Sequence, residues 1–257
     1  MDRPFIVVMV SCSADGRIAI NPNITMWEEM DDSRTHTEGG TEIWEELENK
    51  IEFMYAPKAD MLGSNSLVKE GEPIKELADF KGDRDALYHD YLPEEIVKNP
   101  NLKKWLIVID GRGRIRSGYK GDEGSGSYML HLVSYGVSPE YLHFLRTNNI
   151  PYIISGEKQV DLRSAMKTLK TKLGIDCLTT SSGGKLGGAL LRKGIVDEVN
   201  IILKPLLYGG FDTPSLFDSP DLKPDELPAK LKLITSTNKS DGHIWLRYKV
   251  VGFDDVE

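Results

Sequence analysis

Several stretches of this chain gather residue types able to hold an anionic ligand, and each follows a short apolar run. The richest lies within residues 177–194, where an apolar run gives way to Ser181, Ser182, Gly183, Gly184, Lys185, Leu186, Gly187 and Gly188. Glycines let a backbone approach a ligand closely, and exposed amides at a helix start attract anions, so a pyrophosphate is the natural guest. The spacing is neither a Walker A loop, which needs Gly-Lys followed by Ser or Thr, nor a Rossmann G-x-G-x-x-G. A tight strand-to-helix turn that needs small residues would use the same composition.

The second stretch places Arg112, Arg114 and Arg116 just after the run 105–109 and its closing Asp110 and Gly111. Arginine forks suit phosphates, including the 2′-phosphate that marks NADP, although a solvated basic loop reads the same way. The third, Gly63, Ser64, Asn65 and Ser66, offers small hydroxyl and amide donors after another run. The fourth, residues 13–19, contains Asp15-Gly16, a turn signal that makes Asp15 a turn former by default.

Other chemistries lack their residues. His36, His89, His131, His143 and His243 show no metal-ligand spacing. No H-x-E with P-C-x-x-C marks a zinc deaminase, and no G-x-S-x-G marks a serine nucleophile. The two cysteines, Cys12 and Cys177, sit in apolar runs and read as buried thiols. What remains is a site of loops suited to phosphates, with the hard chemistry carried by a bound cofactor and no metal.

The elements that must position these loops are short apolar runs at 5–10, 59–62, 105–109, 131–134, 152–155, 177–180 and 199–203. Runs of four to six residues rich in Val and Ile read as strands buried on both faces, hence a largely parallel sheet with helices on both faces. Helical spacing appears at 42–55 and 139–148. At 161–173, Leu162, Ala165, Met166, Leu169 and Leu173 share a face between Asp161 as N-cap and Gly174 as stop. A short helix is expected at 188–193. Residues 231–236 and 243–250 alternate around the turn 238–242 and read as an antiparallel C-terminal hairpin. Charged, proline-bearing residues 66–101 read as a surface insertion within one α/β domain spanning 1–257.

Composition sets the outer bounds. The 257 residues are 40 % hydrophobic and 28 % charged, ordinary globular make-up. Lys+Arg 32 against Asp+Glu 40 leaves −8, the wrong balance for a general nucleic-acid or anionic-membrane binder. Residues 5–10 followed by Ser11, Cys12, Ser13 and Ala14 mimic a short signal peptide. The run is too brief and acidic Asp15 follows at once, so a strand in a cytoplasmic protein is expected.

Taken together, the motifs resemble a known family. Arg3, Pro4 and Phe5 with residues 13–19 resemble the opening of the RibD C-terminal-type reductases, which share the dihydrofolate-reductase-like fold. The glycine stretch running into Gly188, Asp197 and Glu198, then Pro205, Gly209 and Gly210, resembles that family's second signature. Residues 59–66 and 106–111 fall in the family's order. The resemblance implies NADPH as cofactor and hydride transfer to the ribosyl carbon of a phosphoribosylamino-pyrimidine, as in 5-amino-6-(5-phosphoribosylamino)uracil reductase. It implies that Gly183, Gly184, Lys185, Leu186 and Gly187, headed by Ser182, cradle the cofactor phosphates. Ser66 takes the place of a cofactor-contacting Thr after Gly63 and Ser64, Gly111 and Arg112 lie where the chain passes the cofactor, and Trp27 matches a tryptophan near the nicotinamide. A homodimer is implied as well.

The chain also departs from the family pattern. Ser181 stands where the family has a Glu reaching the substrate, residues 68–75 replace the stretch bearing a phosphate-holding arginine, and residues 1–257 hold no deaminase motif. On this reading Asp15 orients a water or substrate hydroxyl and Ser181 holds a substrate hydroxyl. The competing readings are a non-catalytic NADP-binding or nucleotide-binding protein that has lost its substrate shell, and a phosphosugar-binding or phosphoryl-transfer protein. The last lacks carboxylates at a recognisable magnesium spacing.

Overall fold

The computed structural model describes residues 1–253. Its strands are β1 (Phe5–Ser13), β2 (Ala59–Gly63), β3 (Lys104–Ile109), β4 (Ser127–Val133), β5 (Tyr152–Ile154), β6 (Cys177–Thr180), β7 (Glu198–Lys204), β8 (Lys230–Asn238) and β9 (Ile244–Gly252). The helices are α1 (Met26–Asp31), α2 (Gly40–Tyr55), α3 (Glu94–Val97), α4 (Pro139–Thr147), α5 (Leu162–Leu173) and α6 (Gly184–Arg192). The chain forms two compact units, residues 1–4 with 57–178 and residues 5–56 with the chain from 179 onward.

In the first unit the strand order is β5-β4-β3-β2, and every neighbouring pair is parallel. Parallel strands need cover on both faces, which is why β3 and β4 read as near-continuous apolar runs. Ile107, Val108, Leu130 and Leu132 are fully buried. Helix α5 forms where its apolar face falls, with the Asp161 carboxylate accepting from the Arg163 and Ser164 amides at 3.1 and 3.3 Å. Gly174 closes it in the left-handed region at φ 62°, where glycine carries no Cβ penalty.

Residues 66–101 have little regular structure, yet part of them is tied down. Tyr91 and Tyr152 exchange backbone hydrogen bonds at 2.9 Å, and the Leu87 carbonyl accepts from the Tyr152 hydroxyl at 2.6 Å. Leu87 and Ile96 are buried. The later half of this segment thereby covers the free edge of β5, the usual remedy for an unpaired strand.

In the second unit the order is β1-β7-β9-β8, parallel between β1 and β7 and antiparallel thereafter. The C-terminal hairpin is present as expected, with β8 running on to Asn238. Helix α2 buries Ile43, Leu47 and Ile51, one turn apart. Its last residue, Tyr55, joins the main buried ionic group of this unit. Glu198 accepts from Arg247 at 2.7 and 2.8 Å, from the Tyr55 hydroxyl at 2.6 Å and from Asn200 at 2.9 Å. Burial pushes the Glu198 carboxyl up, but these donors outweigh it and hold it below its ordinary value.

A charge so enclosed is tolerable only while its partners stay. Replacing Arg247 with Met leaves Glu198 buried without its counter-charge, and the expected loss is about 3–5 kcal/mol. Urea denaturation at pH 7 checks this, with the midpoint falling and the slope unchanged.

Candidate functional site

The glycine stretch adopts a different local structure from the loop expected of it. The helix begins at Gly184 rather than Gly188, so only Gly183 precedes it, as N-cap, and Gly184, Gly187 and Gly188 lie within its turns. The reason is packing against residues 215–219 of the same unit. A Cβ on Gly184 would stand 2.3 Å from the Ser215 carbonyl oxygen and 2.5 Å from a carboxylate oxygen of Asp218, and one on Gly188 would stand 2.2 Å from the Asp218 carbonyl oxygen. The Asp218 amide in turn donates to the Gly184 carbonyl at 2.9 Å. Leu186 and Gly187 face inward and are buried, while Ser181, Gly183 and Lys185 are exposed and Ser182 is buried.

Gly183 is the exception among these glycines. A Cβ there would meet only Ile18 Cδ1, at 3.5 Å, and its φ of −56° suits any residue. Neither packing nor backbone conformation demands glycine at this position. No side chain caps the helix and no acidic residue occupies its first turn. An α-helix leaves its first amides without intrahelical partners, and at the entry to α6 the space beside Gly183 is open apart from Ile18.

Asp15 follows β1 on the same unit and is exposed. Its carboxylate accepts from the Ser13 hydroxyl at 2.5 Å, the Tyr208 amide at 3.1 Å and the Gly209 amide at 2.8 Å. These donors, Ser13 foremost, hold the carboxyl down at about 2. Asp15 thus stays an ionised acceptor that anchors the chain at 208–209, and an acid role is closed to it near neutral pH.

Side chains from the carboxyl-terminal ends of β1 and β7, where open parallel sheets place ligands, share an electrostatic environment with Glu29 of α1. Ser13 and Lys204 are register partners there, and Lys204 donates to the Thr35 carbonyl at 3.0 Å. Burial lowers the Lys204 ammonium and raises the Glu29 carboxyl, each opposed by attraction to the other. Burial also pushes the Cys12 thiol up to about 11 and the Tyr208 hydroxyl up to about 12. Trp27, on α1 behind a Thr25–Glu28 capping box, is exposed. Lys204 and Glu29 were not among the sequence candidates. A lysine closing a buried strand was the available signal for Lys204, and Glu29 has none in its short polar helix.

In the first unit the structure brings Gly63, Ser64, Ser66, Gly111 and Arg112 to the carboxyl ends of β2 and β3, where Gly63 and Ile109 are register partners. Ser64 to Ser66 form one 3-10 turn. The three arginines are engaged with the neighbouring chain. Arg112 grips Glu70 with both arms at 2.9 and 3.0 Å, which pulls the Glu70 carboxyl down to about 2. Arg114 is buried and donates to Asn65 at 2.5 Å, to the Val68 carbonyl at 3.0 Å and to the Lys69 carbonyl. Arg116 donates to the Gly113 and Lys75 carbonyls at 3.0 and 2.6 Å. A 2′-phosphate arriving at Arg112 would compete with a carboxylate already held bidentately.

Beneath this loop lies a buried polar chain that pattern reading missed. Asp110 accepts from the Arg114 and Ile115 amides at 3.0 and 2.8 Å and from the Tyr141 hydroxyl at 2.8 Å. Tyr141 sits 3.0 Å from His131 Nδ1. Since the Tyr141 proton goes to Asp110, His131 donates from Nδ1 to the phenol oxygen, and burial keeps its imidazole neutral near pH 7. His131 Nε2 is, among the described residues, the buried side-chain nitrogen or oxygen left without a partner. His131 reads as one more strand residue in sequence, because its partners lie 10 and 21 positions away.

The model of the RibD C-terminal domain matches residues 4–244. The chain belongs to this family. It is 31 % identical over 101 residues to the 2,5-diamino-6-ribosylamino-4(3H)-pyrimidinone 5′-phosphate reductase of Methanothermobacter thermautotrophicus, a match that covers 39 % of this chain and 45 % of that protein. Two solved structures share the fold. A pyrimidine reductase-like protein from Corynebacterium diphtheriae superposes with TM-score 0.61 at 16 % identity, covering 96 % of this chain and 92 % of that one. The Saccharomyces cerevisiae riboflavin biosynthesis reductase Rib7 gives 0.58 at 15 %, covering 98 % and 91 %. No helix among the described residues is long and apolar enough to cross a membrane.

The buried His131 carries a pH signature. Burial lowers its imidazole to about 4 against an ordinary value of 6.5. Unfolded chains therefore bind a proton that the native state refuses, so stability is complete above about pH 6.5 and falls as the pH drops toward about 4, by at most about 1.4 kcal/mol per pH unit. Urea midpoints measured across that window show the slope, and His131→Phe removes this component of it.

Proposed function

We propose that this RibD-family chain is an NADPH-dependent reductase of riboflavin biosynthesis, reducing the ribosyl carbon of a phosphoribosylamino-pyrimidine to a ribityl chain. Membership of the family and the stated activity of the archaeal relative support the reaction class. The observation that carries the cofactor is Gly183, whose missing side chain serves neither packing nor backbone geometry and so leaves a cradle at the start of α6.

The residues present fit a pyrophosphate at that point. The amides of Gly184 and Lys185 open the helix and the Lys185 side chain is exposed beside them, while the Asp218 carboxylate beside Gly184 is taken up by the Ser215 amide and hydroxyl. NADPH supplies the hydride when bound. Ser181, exposed just before the cradle, offers a hydroxyl to the substrate in place of the carboxylate expected from the family pattern. Asp15 acts through position, since its three accepted hydrogen bonds anchor the chain at 208–209. Near the carboxyl end of β7, burial lowers the Lys204 ammonium and raises the Glu29 carboxyl.

A second reading, a nucleotide-binding protein without turnover, rests on Ser181 and on the engagement of Arg112 with Glu70. The two part on one set of measurements. Titration with NADPH and NADH, followed by tryptophan and nucleotide fluorescence, is expected to show saturable NADPH binding. Adding the phosphoribosylamino-pyrimidine is then expected to oxidise the cofactor, whereas binding without oxidation selects the second reading.

Gly183→Ala tests the cradle itself. The variant is expected to bind NADPH at least about tenfold more weakly while losing under about 1 kcal/mol of stability, since its Cβ meets only Ile18. Gly188→Ala is expected to do the reverse damage and lower the melting temperature, because its Cβ would collide with the Asp218 backbone. Unaltered affinity in Gly183→Ala removes the cradle from the argument.

A further inference from the structure

The buried chain of Asp110, Tyr141 and His131 takes no part in the reaction proposed above, yet the fold keeps it at a loss. A buried nitrogen without a partner is unfavourable, and an apolar side chain at 131 would avoid it. His131 Nε2 is left in that state while Nδ1 serves the Tyr141 hydroxyl at 3.0 Å. Tyr141 is fully buried and gives its own proton to Asp110 at 2.8 Å. Burial and the Asp110 charge push this hydroxyl well above its ordinary value, so the proton stays in place near neutral pH.

These contacts converge on one loop. Asp110 closes β3 and gathers the chain from 111 to 115 around itself. Its carbonyl accepts from the Gly113 amide at 3.2 Å, and its carboxylate accepts from the Arg114 and Ile115 amides at 3.0 and 2.8 Å. The Tyr141 ring lies flush against the loop, since a Cβ on Gly113 would stand 2.9 Å from it. On the other shoulder the Ser134 hydroxyl donates to the Gly111 carbonyl at 2.8 Å. Gly113, Arg114 and Ile115 are buried, whereas Arg112 at the tip is exposed. A ligand that reaches this loop therefore meets Arg112.

We propose that Tyr141 is a positioning residue for nucleotide binding, acting through Asp110 to hold Gly111 and Arg112 in place for the cofactor, with His131 orienting its hydroxyl. The inference rests on the reductase reading, in which NADPH is the ligand of this loop. A loop whose conformation is fixed before the ligand arrives binds more tightly, because less order has to be imposed on binding. Without the hydroxyl, Asp110 keeps its two amides but loses the donor that ties it to α4, and the tip is no longer held from beneath. Tyr152 supplies the contrast. It is equally buried in the same apolar cluster, but its hydroxyl donates to the Leu87 carbonyl at 2.6 Å and accepts from Arg146 at 2.7 Å, and neither partner belongs to the loop.

Tyr141→Phe and Tyr152→Phe make a matched comparison, each removing one buried hydroxyl from one cluster. Fluorescence titration is expected to give an NADPH Kd at least about fivefold weaker in Tyr141→Phe and within about twofold of wild type in Tyr152→Phe, although both lower the urea midpoint. Hydrogen exchange of the ligand-free chain gives a readout independent of the cofactor. The Arg114 and Ile115 amides are expected to exchange at least about tenfold faster in Tyr141→Phe and to be unaffected in Tyr152→Phe. If Tyr141→Phe does not fold, Asp110→Asn, which cannot accept from both amides, is expected to show the same pair of changes. Equal losses in the two tyrosine variants, or unchanged affinity or exchange in Tyr141→Phe, overturn this inference alone. A wild-type chain without saturable NADPH binding overturns the reductase reading and this inference with it.

Discussion

Helix α6 lies so close to residues 215–219 that its backbone touches theirs, and the neighbourhood of the candidate site follows from that approach. Only glycine at 184 and 188 permits it, because a Cβ at either would sit within 2.3 Å of a carbonyl oxygen. The approach sets where the helix starts, and with it the direction in which its first amides point. It also fixes the segment that receives Arg17, whose guanidinium donates to the Thr213 carbonyl at 2.6 Å, and Ile18, whose amide donates to Pro214 at 3.0 Å. The turn after β1 and the start of α6 are thus held by one strip of chain, so that Asp15 and Gly183 belong to a single local framework.

That framework separates two uses of glycine that look alike in sequence. Gly184, Gly187 and Gly188 are consumed by helix packing, whereas Gly183 is left without an internal reason. Reading the run 183–188 as one phosphate loop merged the two uses, because composition reports small residues without saying what comes near them. The strands were legible for the opposite reason. A parallel strand covered on both faces must be apolar along its length, so β3, β6 and β7 announce themselves without knowledge of their partners. Helix α5 was legible at both ends because Asp161 and Gly174 act on their own neighbours in sequence.

The arginines show where local reading stops. Their number and spacing are plain, and their position after a strand end is where ligands of such sheets gather. Their partners, Glu70, Asn65 and the carbonyls of residues 68–75, lie some forty residues earlier in a stretch with no helix or strand to predict. The same holds for Asp110 just after β3, Tyr141 on α4 and His131 on β4, whose meeting depends on the β3–β4 register and the seating of α4. Polar networks of this kind are written in tertiary structure, and each member alone passes for an ordinary turn or strand residue.

Sidedness in the second unit follows from the same limit and has a further consequence. Alternation along residues 231–236 and 243–250 foretold a hairpin with one apolar face, and in an isolated domain that face would turn inward. Here the register sends Glu198, Arg247 and Asn200 toward α2 and leaves the apolar side chains of β8 exposed on the other face. The cause is the buried ionic group: once Tyr55 closes over Glu198 and Arg247, α2 is committed to the charged side, and nothing on that helix remains for the other. The ion pair that stabilises one face of the sheet thus fixes which face α2 covers.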